Sequence, residues 1–232
     1  MKKLSSFLVG LALTAGTVLA ADTNTATSVN IVGFNKIVCA SGKFTLSSTA
    51  FKSIDGSLLK ANDVFGTTQL PLGTRIYSFN QGSNTYKQDV YGEDEIGNLV
   101  WSTNIVFDGS MGFWVSVPAQ TPASNYVVTV SGEVPMSLLN SNVVNNGYSL
   151  LGYPYTASVL WTNTSLAKNA QPGDALYVFN ESGAYIRNPL AEDEGGNLVW
   201  GFPSMVINPG VGFWFLTTSP AYTNVESRPY NP

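Results

Sequence analysis

The sequence predicts an all-β protein made of two tandem, pseudo-repeated β-sandwich modules of jelly-roll type, preceded by a cleaved signal peptide. Three observations support this prediction. Residues 1–20 have the charge and hydropathy pattern of an export signal. A unit of about 100 residues recurs in register. The chain between its turn signals consists of short β-rich runs, and none of them sustains a helical periodicity.

Residues 1–20 form the predicted signal peptide. The basic pair Lys2 and Lys3 precedes an apolar run that ends in small residues at Ala20, which is the pattern that signal peptidase recognises. The run is too short to span a membrane stably, so we expect cleavage there or one residue later and no membrane span in the mature chain. Residues 21–27 then form a short leader.

An internal repeat is the strongest signal in the chain. The segment from Gly73 to Trp114 recurs as Gly173 to Trp214. Within it, Glu93–Trp101 and Glu192–Trp200 are identical at eight of nine positions. Both copies end in Gly-Phe-Trp. Chance does not keep such a register over forty residues, so we predict a duplication.

Alignment of the earlier parts of the repeat sets the predicted module boundaries. Val29–Gly33 aligns with Val128–Gly132, which gives a first module over 28–126 and a second over 127–232. After the second module no further strand of this kind is predicted. The second module would therefore have an open sheet edge.

Each module is predicted to consist of short strands. Ile76–Phe79 and Leu176–Phe179 are rich in β-branched and aromatic residues and end at turn signals, and Tyr126–Val130 is a similar run. Leu58–Ala61 and Ser165–Ala170 are long enough for one helical turn each. Successive short strands without long helices favour a sandwich or a barrel.

Four segments of the second module carry a resemblance to a known type of module: Asn146–Tyr155, Ala175–Phe179, Leu198–Trp200 and Pro209–Trp214. In this order they resemble β-sandwich modules found in exported proteins of Gram-negative environmental bacteria. The first module departs from the pattern, since it has no proline in the stretch that begins at Phe44. The resemblance implies a secreted or cell-surface protein of a Gram-negative bacterium, and the Sec-type signal peptide predicts the route of export.

Composition argues against several functional classes. The chain has no histidine, which removes Ser-His-Asp and Cys-His catalysis and most zinc sites. With 15 acidic and 11 basic residues the net charge is −4, which gives no electrostatic basis for binding nucleic acid. We therefore assign no catalytic residues and predict that the protein is not an enzyme. A glycoside hydrolase that uses two carboxylates is a less favoured alternative.

Cys39 is the only cysteine, so no internal disulfide can form. It follows an apolar run, which predicts a buried side chain. An intermolecular disulfide is the alternative.

Two acidic loops are the candidate metal sites. Carboxylates and amide oxygens in a tight loop are ligands that Ca²⁺ prefers, although the spacing does not match a known calcium loop. A solvated hairpin turn is the simpler interpretation. We therefore predict no obligatory cofactor and keep Ca²⁺ as a candidate. The candidate ligands are Glu93, Asp94, Glu95 and Asn98 in the first loop, and Glu192, Asp193, Glu194 and Asn197 in the second.

Aromatic residues supply the candidate sugar-binding positions. The repeated tryptophans are predicted to lie in the sandwich core because they neighbour β-branched residues. A platform that stacks on sugars needs exposed rings beside polar groups, and six aromatic residues lie in more polar stretches. They are Tyr86, Tyr91, Tyr153, Tyr155, Trp161 and Tyr185.

Two functions remain open on the sequence alone. The first is a self-associating surface-layer, matrix or fibre subunit, in which the N-terminal strand with Val29, Ile31 and Gly33 fills the open edge of a neighbouring copy. In that function the partner is a second copy of the chain. The second is an extracellular carbohydrate-binding module with structural Ca²⁺, whose partner is a glycan.

Overall fold

The computed structural model describes residues 31–66 and 70–230. The predicted signal peptide and leader lie outside these residues. The described chain folds into antiparallel β-sheets with two helices of five residues each, so the all-β prediction is confirmed. No helix in the described part of the chain is long and apolar enough to cross a membrane.

The N-terminal half, residues 31–133, contains one five-stranded sheet and one two-stranded ribbon. The sheet has the order β2-β6-β3-β4-β5, and the ribbon pairs β1 with β7. The elements are β1 Val32–Ala40, β2 Phe44–Ser48, α1 Ala61–Phe65, β3 Arg75–Asn80, β4 Thr85–Glu93, β5 Leu99–Trp101, β6 Gly112–Ser116 and β7 Asn125–Glu133.

The C-terminal half, residues 139–230, has a second five-stranded sheet in the order β9-β15-β11-β12-β13, a ribbon that pairs β8 with β16, and a short pair of β10 with β14. A 3-10 helix covers Trp161–Asn163. The other elements are β8 Leu139–Val144, β9 Gly147–Gly152, β10 Val159–Leu160, α2 Ser165–Asn169, β11 Ala175–Phe179, β12 Tyr185–Glu192, β13 Leu198–Trp200, β14 Val206–Ile207, β15 Gly212–Thr217 and β16 Tyr222–Ser227.

The sheets of the two halves are wound in the same way. In the N-terminal sheet, β2 lies at one edge, next to β6, which carries Gly-Phe-Trp. In the C-terminal sheet, β9 lies at one edge, next to β15, which carries the second Gly-Phe-Trp. The register repeats as well, because Tyr77 lies opposite Trp114 and Tyr177 lies opposite Trp214.

The ribbons change the interpretation of the ends of each half. The predicted boundary between residues 126 and 127 falls within β7, which pairs with β1 from Val32–Glu133 to Ala40–Asn125. In the C-terminal half, β8 occupies the place of β1. No strand was predicted near the end of the second module, but Tyr222–Ser227 forms one and pairs along its length with β8. The pattern did not reveal it because its polar Thr, Asn, Glu and Ser residues resemble a tail.

Each half has its own hydrophobic core between its sheet and its ribbon. The N-terminal core includes Cys39, Phe65 and Phe113, and the C-terminal core includes Trp161 and Phe213. A third apolar cluster lies between the two sheets and consists of Leu46, Trp114, Leu150 and Trp214. The halves are therefore packed against each other through residues that neither core uses.

Backbone hydrogen bonds join the halves on both sides of this cluster. The N–H of Ser48 donates to the carbonyl oxygen of Gly210 at 2.9 Å, and the N–H of Gly152 donates to that of Ser110 at 2.8 Å. A buried side chain holds the connection that follows β5. Asp89 accepts from the N–H groups of Thr103 and Ile105 at 2.8 Å each.

Candidate ligand-binding clefts

Strand alternation produces a second apolar face on each five-stranded sheet. In β3, Ile76 points into the N-terminal core, so its neighbours Tyr77 and Phe79 project from the opposite face. In β11, Leu176 belongs to the C-terminal core, and Tyr177 and Phe179 project away from it. The outer face of each sheet is therefore aromatic, and the two outer faces meet.

Edge-to-face contacts between the halves organise this meeting. The ring centroids of Trp114 and Phe179 are 4.8 Å apart with an interplanar angle of 82°. The reciprocal contact joins Phe79 and Trp214, with centroids 4.9 Å apart and an angle of 74°. Such arrangements place the positive edge of one ring against the negative face of the other.

Two clefts open beside these contacts. The first has a volume of about 460 Å³ and is lined by Phe44, Tyr77, Tyr86, Trp114, Phe179 and Tyr185. The second has a volume of about 380 Å³ and is lined by Phe79, Asn84, Tyr86, Tyr148, Tyr177, Tyr185 and Trp214. Both volumes lie in the range of about 300–1,000 Å³ that is typical of small-molecule sites. We refer to them as the first and second aromatic clefts.

The ring contacts of the two clefts are reciprocal between the halves. The ring of Tyr86 lies 6.4 Å from that of Trp214, and the ring of Tyr185 lies 6.3 Å from that of Trp114. At the outer ends, Phe44 contacts Trp114 and Tyr148 contacts Trp214, each at 6.1 Å and 88°. Each cleft thus combines rings from both halves of the chain.

Four of the lining rings are open to solvent. Phe44 is 53% exposed, Tyr86 52%, Tyr148 50% and Tyr185 48%. Trp114 and Trp214 form the buried floor. Large apolar side chains at this exposure, gathered in a concave surface, mark interaction sites more often than scattered single residues do.

The polar side chains of the clefts are tyrosines and, in the second cleft, Asn84. The Nε1–H of Trp214 donates to the hydroxyl of Tyr185 at 3.2 Å, and the Nε–H of Arg187 donates to that of Tyr177 at 3.2 Å. Burial raises the pKa of Tyr86, and the neighbouring Tyr185 raises this pKa further. Burial also raises the pKa of Tyr185. These phenols therefore stay neutral and keep an O–H to donate.

The structure brings together two of the six aromatic residues that the sequence analysis selected. Tyr86 and Tyr185 line both clefts. The other four are buried in the cores, where they present no exposed ring to a ligand: Tyr91, Tyr153, Tyr155 and Trp161. Polar neighbours along the chain did not predict exposure, because these side chains point inward from otherwise polar segments.

Most of the cleft residues were missed by the sequence analysis. Trp114 and Trp214 were assigned to the sandwich cores, but each is covered by rings of the opposite half. The available signal was the two-residue alternation of Tyr77 with Phe79 and of Tyr177 with Phe179, which leaves an aromatic face when the intervening residues fill the core.

The acidic loops are tight hairpin turns. In the first, the Asp94 carboxylate accepts from the N–H groups of Ile96 and Asn98, at 3.0 and 2.8 Å. Asp193 accepts in the same way from Gly195 and Asn197 in the second. Hydrogen bonds from Asn98 and Asn197 hold the pKa values of the two aspartates below the usual range.

The other predicted calcium ligands are solvent-exposed around these turns: Glu93, Glu95 and Asn98, and Glu192, Glu194 and Asn197. Within residues 31–66 and 70–230, no three acidic, Cys or His side chains gather as a metal-binding group.

Two of the residues predicted for self-association, Ile31 and Gly33, are described, and they lie next to and in β1. Gly33 is paired with Gly132 of the same chain, and the carbonyl oxygen of Ile31 accepts from the N–H of Val134 at 2.7 Å. Val29 lies outside the described residues. The edge of the second module that a strand from a neighbouring copy was expected to fill is paired with β16 of the same chain.

Cys39 is fully buried in the N-terminal core as a free thiol. Burial raises the pKa of this thiol to about 11. The buried position matches the simpler of the two predictions for this residue, and an intermolecular disulfide would need the thiol at the surface.

Comparison with known proteins gives no further guide to function: the chain matches no protein-family model, no curated protein and no solved structure. The resemblance to exported β-sandwich modules therefore stays a prediction.

Proposed function

We propose that the protein is an exported, non-catalytic glycan-binding protein, built from two duplicated β-sandwich modules, that stacks sugar rings in its two aromatic clefts. The observation that carries the proposal is the paired set of half-exposed rings, Phe44, Tyr86, Tyr148 and Tyr185, above the buried floor of Trp114 and Trp214.

The chemistry of the lining favours sugars over other ligands. A pyranose ring has apolar C–H faces that pack against aromatic rings, and its hydroxyls need donors and acceptors at the rim. The clefts offer rings, tyrosine hydroxyls and the Asn84 side chain, and no charged side chain is among the residues that line them in the described chain. Phosphates and nucleic acids would need cationic groups there.

A glycan array tests the proposal directly. We expect the mature protein to bind a defined class of oligosaccharide saturably, and the Tyr86→Ala/Tyr185→Ala double variant to lose that binding. Phe202→Ala is the matched control, since Phe202 is half-exposed but lies outside both clefts. Absence of binding by the wild-type protein to any glycan would refute the proposal, and undiminished binding by the double variant would remove the clefts from it.

Self-association is a second candidate function, and an exposed apolar row on the β1–β7 ribbon favours it. Phe34, Val38 and Val127 are between 51% and 70% exposed, and Val38 lies directly opposite Val127. Exposed apolar side chains on a ribbon promote association between copies. This candidate needs no exchange of strands.

Sedimentation velocity over a range of concentrations tests this second candidate. We expect larger species for the wild-type protein and a shift to single copies for Phe34→Ser/Val38→Ser. Ile96→Ser is the control because Ile96 is also strongly exposed but lies in the hairpin turn after β4. Single copies of the wild-type protein at every concentration would refute the candidate.

A further inference from the structure

We infer that the two aromatic clefts form one continuous site for a single extended chain of β-1,4-linked pyranose units. The inference rests on the proposed function and goes further, because it names the shape and linkage of the ligand and the number of chains bound. Its starting point is that Tyr86 and Tyr185 line both clefts.

The shared tyrosines make the boundary between the clefts a contact surface. Tyr86 packs on Phe79 at 5.2 Å, and Tyr185 packs on Phe179 at 5.2 Å. Both rings remain about half exposed. Both side chains line the first and the second cleft, so they stand at the boundary between the two. A ligand that passes from one cleft to the other therefore crosses two rings and two hydroxyl groups.

The composition of each cleft extends this path across both halves. Phe44 and Trp114 of the first cleft come from the N-terminal half, whereas its Phe179 comes from the C-terminal half. The second cleft reverses these contributions. Rings therefore follow one another from Phe44 through the shared tyrosines to Tyr148.

This arrangement suits a straight chain that has two apolar faces. In a β-1,4-linked pyranose chain, successive rings turn over, so both sides of the chain present C–H faces to aromatic walls. The chain pays the entropic cost of binding once, and each later unit is held at high effective concentration. We expect affinity to rise about 10²-fold when the chain becomes long enough to occupy both clefts.

Isothermal titration calorimetry with cello-, xylo- and chito-oligosaccharides of increasing length tests the inference. For the series that binds, we expect two disaccharides per protein, but one hexasaccharide with about 10²-fold higher affinity. Two hexasaccharides per protein, each with the affinity of the disaccharide, would overturn the continuous site and leave the proposed function intact. Binding of other glycans on the array, with none of these three series bound, would overturn the predicted linkage alone.

Variants at the outer ends of the site distinguish the binding contributions of the two clefts. Phe44 lines only the first cleft and Tyr148 only the second. We expect Phe44→Ala and Tyr148→Ala each to leave one disaccharide site and to abolish the gain in affinity with length. Phe202→Ala should leave both properties unchanged. Full length dependence in both single variants would overturn the inference, and the stoichiometry of the wild-type protein decides it even if a variant is unstable.

Discussion

Gly112 lies so close to Leu151 that a Cβ atom at Gly112 would stand 2.6 Å from the Leu151 carbonyl oxygen. The reciprocal position is Gly212, where a Cβ would stand 2.4 Å from the carbonyl oxygen of Ser47. The backbone of the other half thus lies directly against the glycine of each Gly-Phe-Trp segment. Two residues later, the tryptophan forms the floor of a cleft.

Gly112→Ala and Gly212→Ala should each destabilise the protein by about 1–3 kcal/mol, because the backbone that the new methyl group meets cannot move aside without separating the halves. Urea unfolding measures the loss. Gly92→Ala is the control, since a Cβ there has no atom within 4 Å. Equal stabilities for all three variants would show that the close approach is not required.

The contact between Trp114 and Phe179 should have a coupling free energy of about 0.5–1.5 kcal/mol in a double-mutant cycle with leucine at each position. The contact between Phe79 and Trp214 should give a similar value, because the geometry is the same to within 0.1 Å in centroid distance. Coupling near zero in both cycles would indicate that the rings are neighbours without a specific interaction.

Period-two alternation and turn signals were enough to predict the β class and to locate several strands. Ile76–Phe79 lies within β3, and Ser165–Ala170 covers α2. They were not enough to find β8 and β16, because Asn, Ser and Thr cover the surface and hide the alternation. The alternation of aromatic residues in β3 was visible in the sequence, but it did not by itself place the clefts. Both faces of β3 are apolar, and only the tertiary fold decides which face fills the core.

Asp89→Ala should cost about 3 kcal/mol of stability, because it leaves the N–H of Thr103 and the buried N–H of Ile105 without an acceptor. Asp89→Asn keeps one acceptor oxygen and should cost less. In the C-terminal half, the amide of Asn188 accepts from Phe202 N–H at 2.7 Å, a single backbone donor. Asn188→Ala should therefore be milder than Asp89→Ala. The reverse order in urea unfolding would contradict this account.

The buried thiol of Cys39 should weaken the fold at alkaline pH. Its pKa rises from an ordinary value of 9.0 to about 11. Below the ordinary value the thiol is neutral in both states, so stability is complete there. Between the two values only the unfolded thiol ionises, and the free energy of unfolding should fall by about 1.4 kcal/mol per pH unit.

Urea unfolding across this pH range, compared with Cys39→Ala, isolates the thiol from other titrating groups. The variant should lack the added pH dependence. A thiol reagent should react with the wild-type protein only after unfolding, and rapid reaction in the native state would contradict burial.

Asp94 and Asp193 should stabilise their hairpins only while ionised. Their pKa values are lowered from 3.8 by turn hydrogen bonds, so the effect is present above that value and is lost as the pH falls through the lower folded value. Proton titration followed by NMR should give low pKa values for both groups, and Asp94→Asn should loosen the first hairpin alone.

Because these carboxylates already accept turn N–H groups, we expect the same melting temperature with Ca²⁺ and with EDTA. A higher one with Ca²⁺ would support the calcium interpretation.

The reciprocal contacts between the halves are of the kind that two identical subunits make in a closed homodimer. A chain of half this length, paired with itself, would build two identical clefts and would treat the two ends of a linear ligand alike. A single chain that contains both halves is free of that restriction. Phe44 stands where the other half has Tyr148, so the outer ends of the two clefts differ. Under the proposed function, this difference would let the protein distinguish the two ends of a linear ligand.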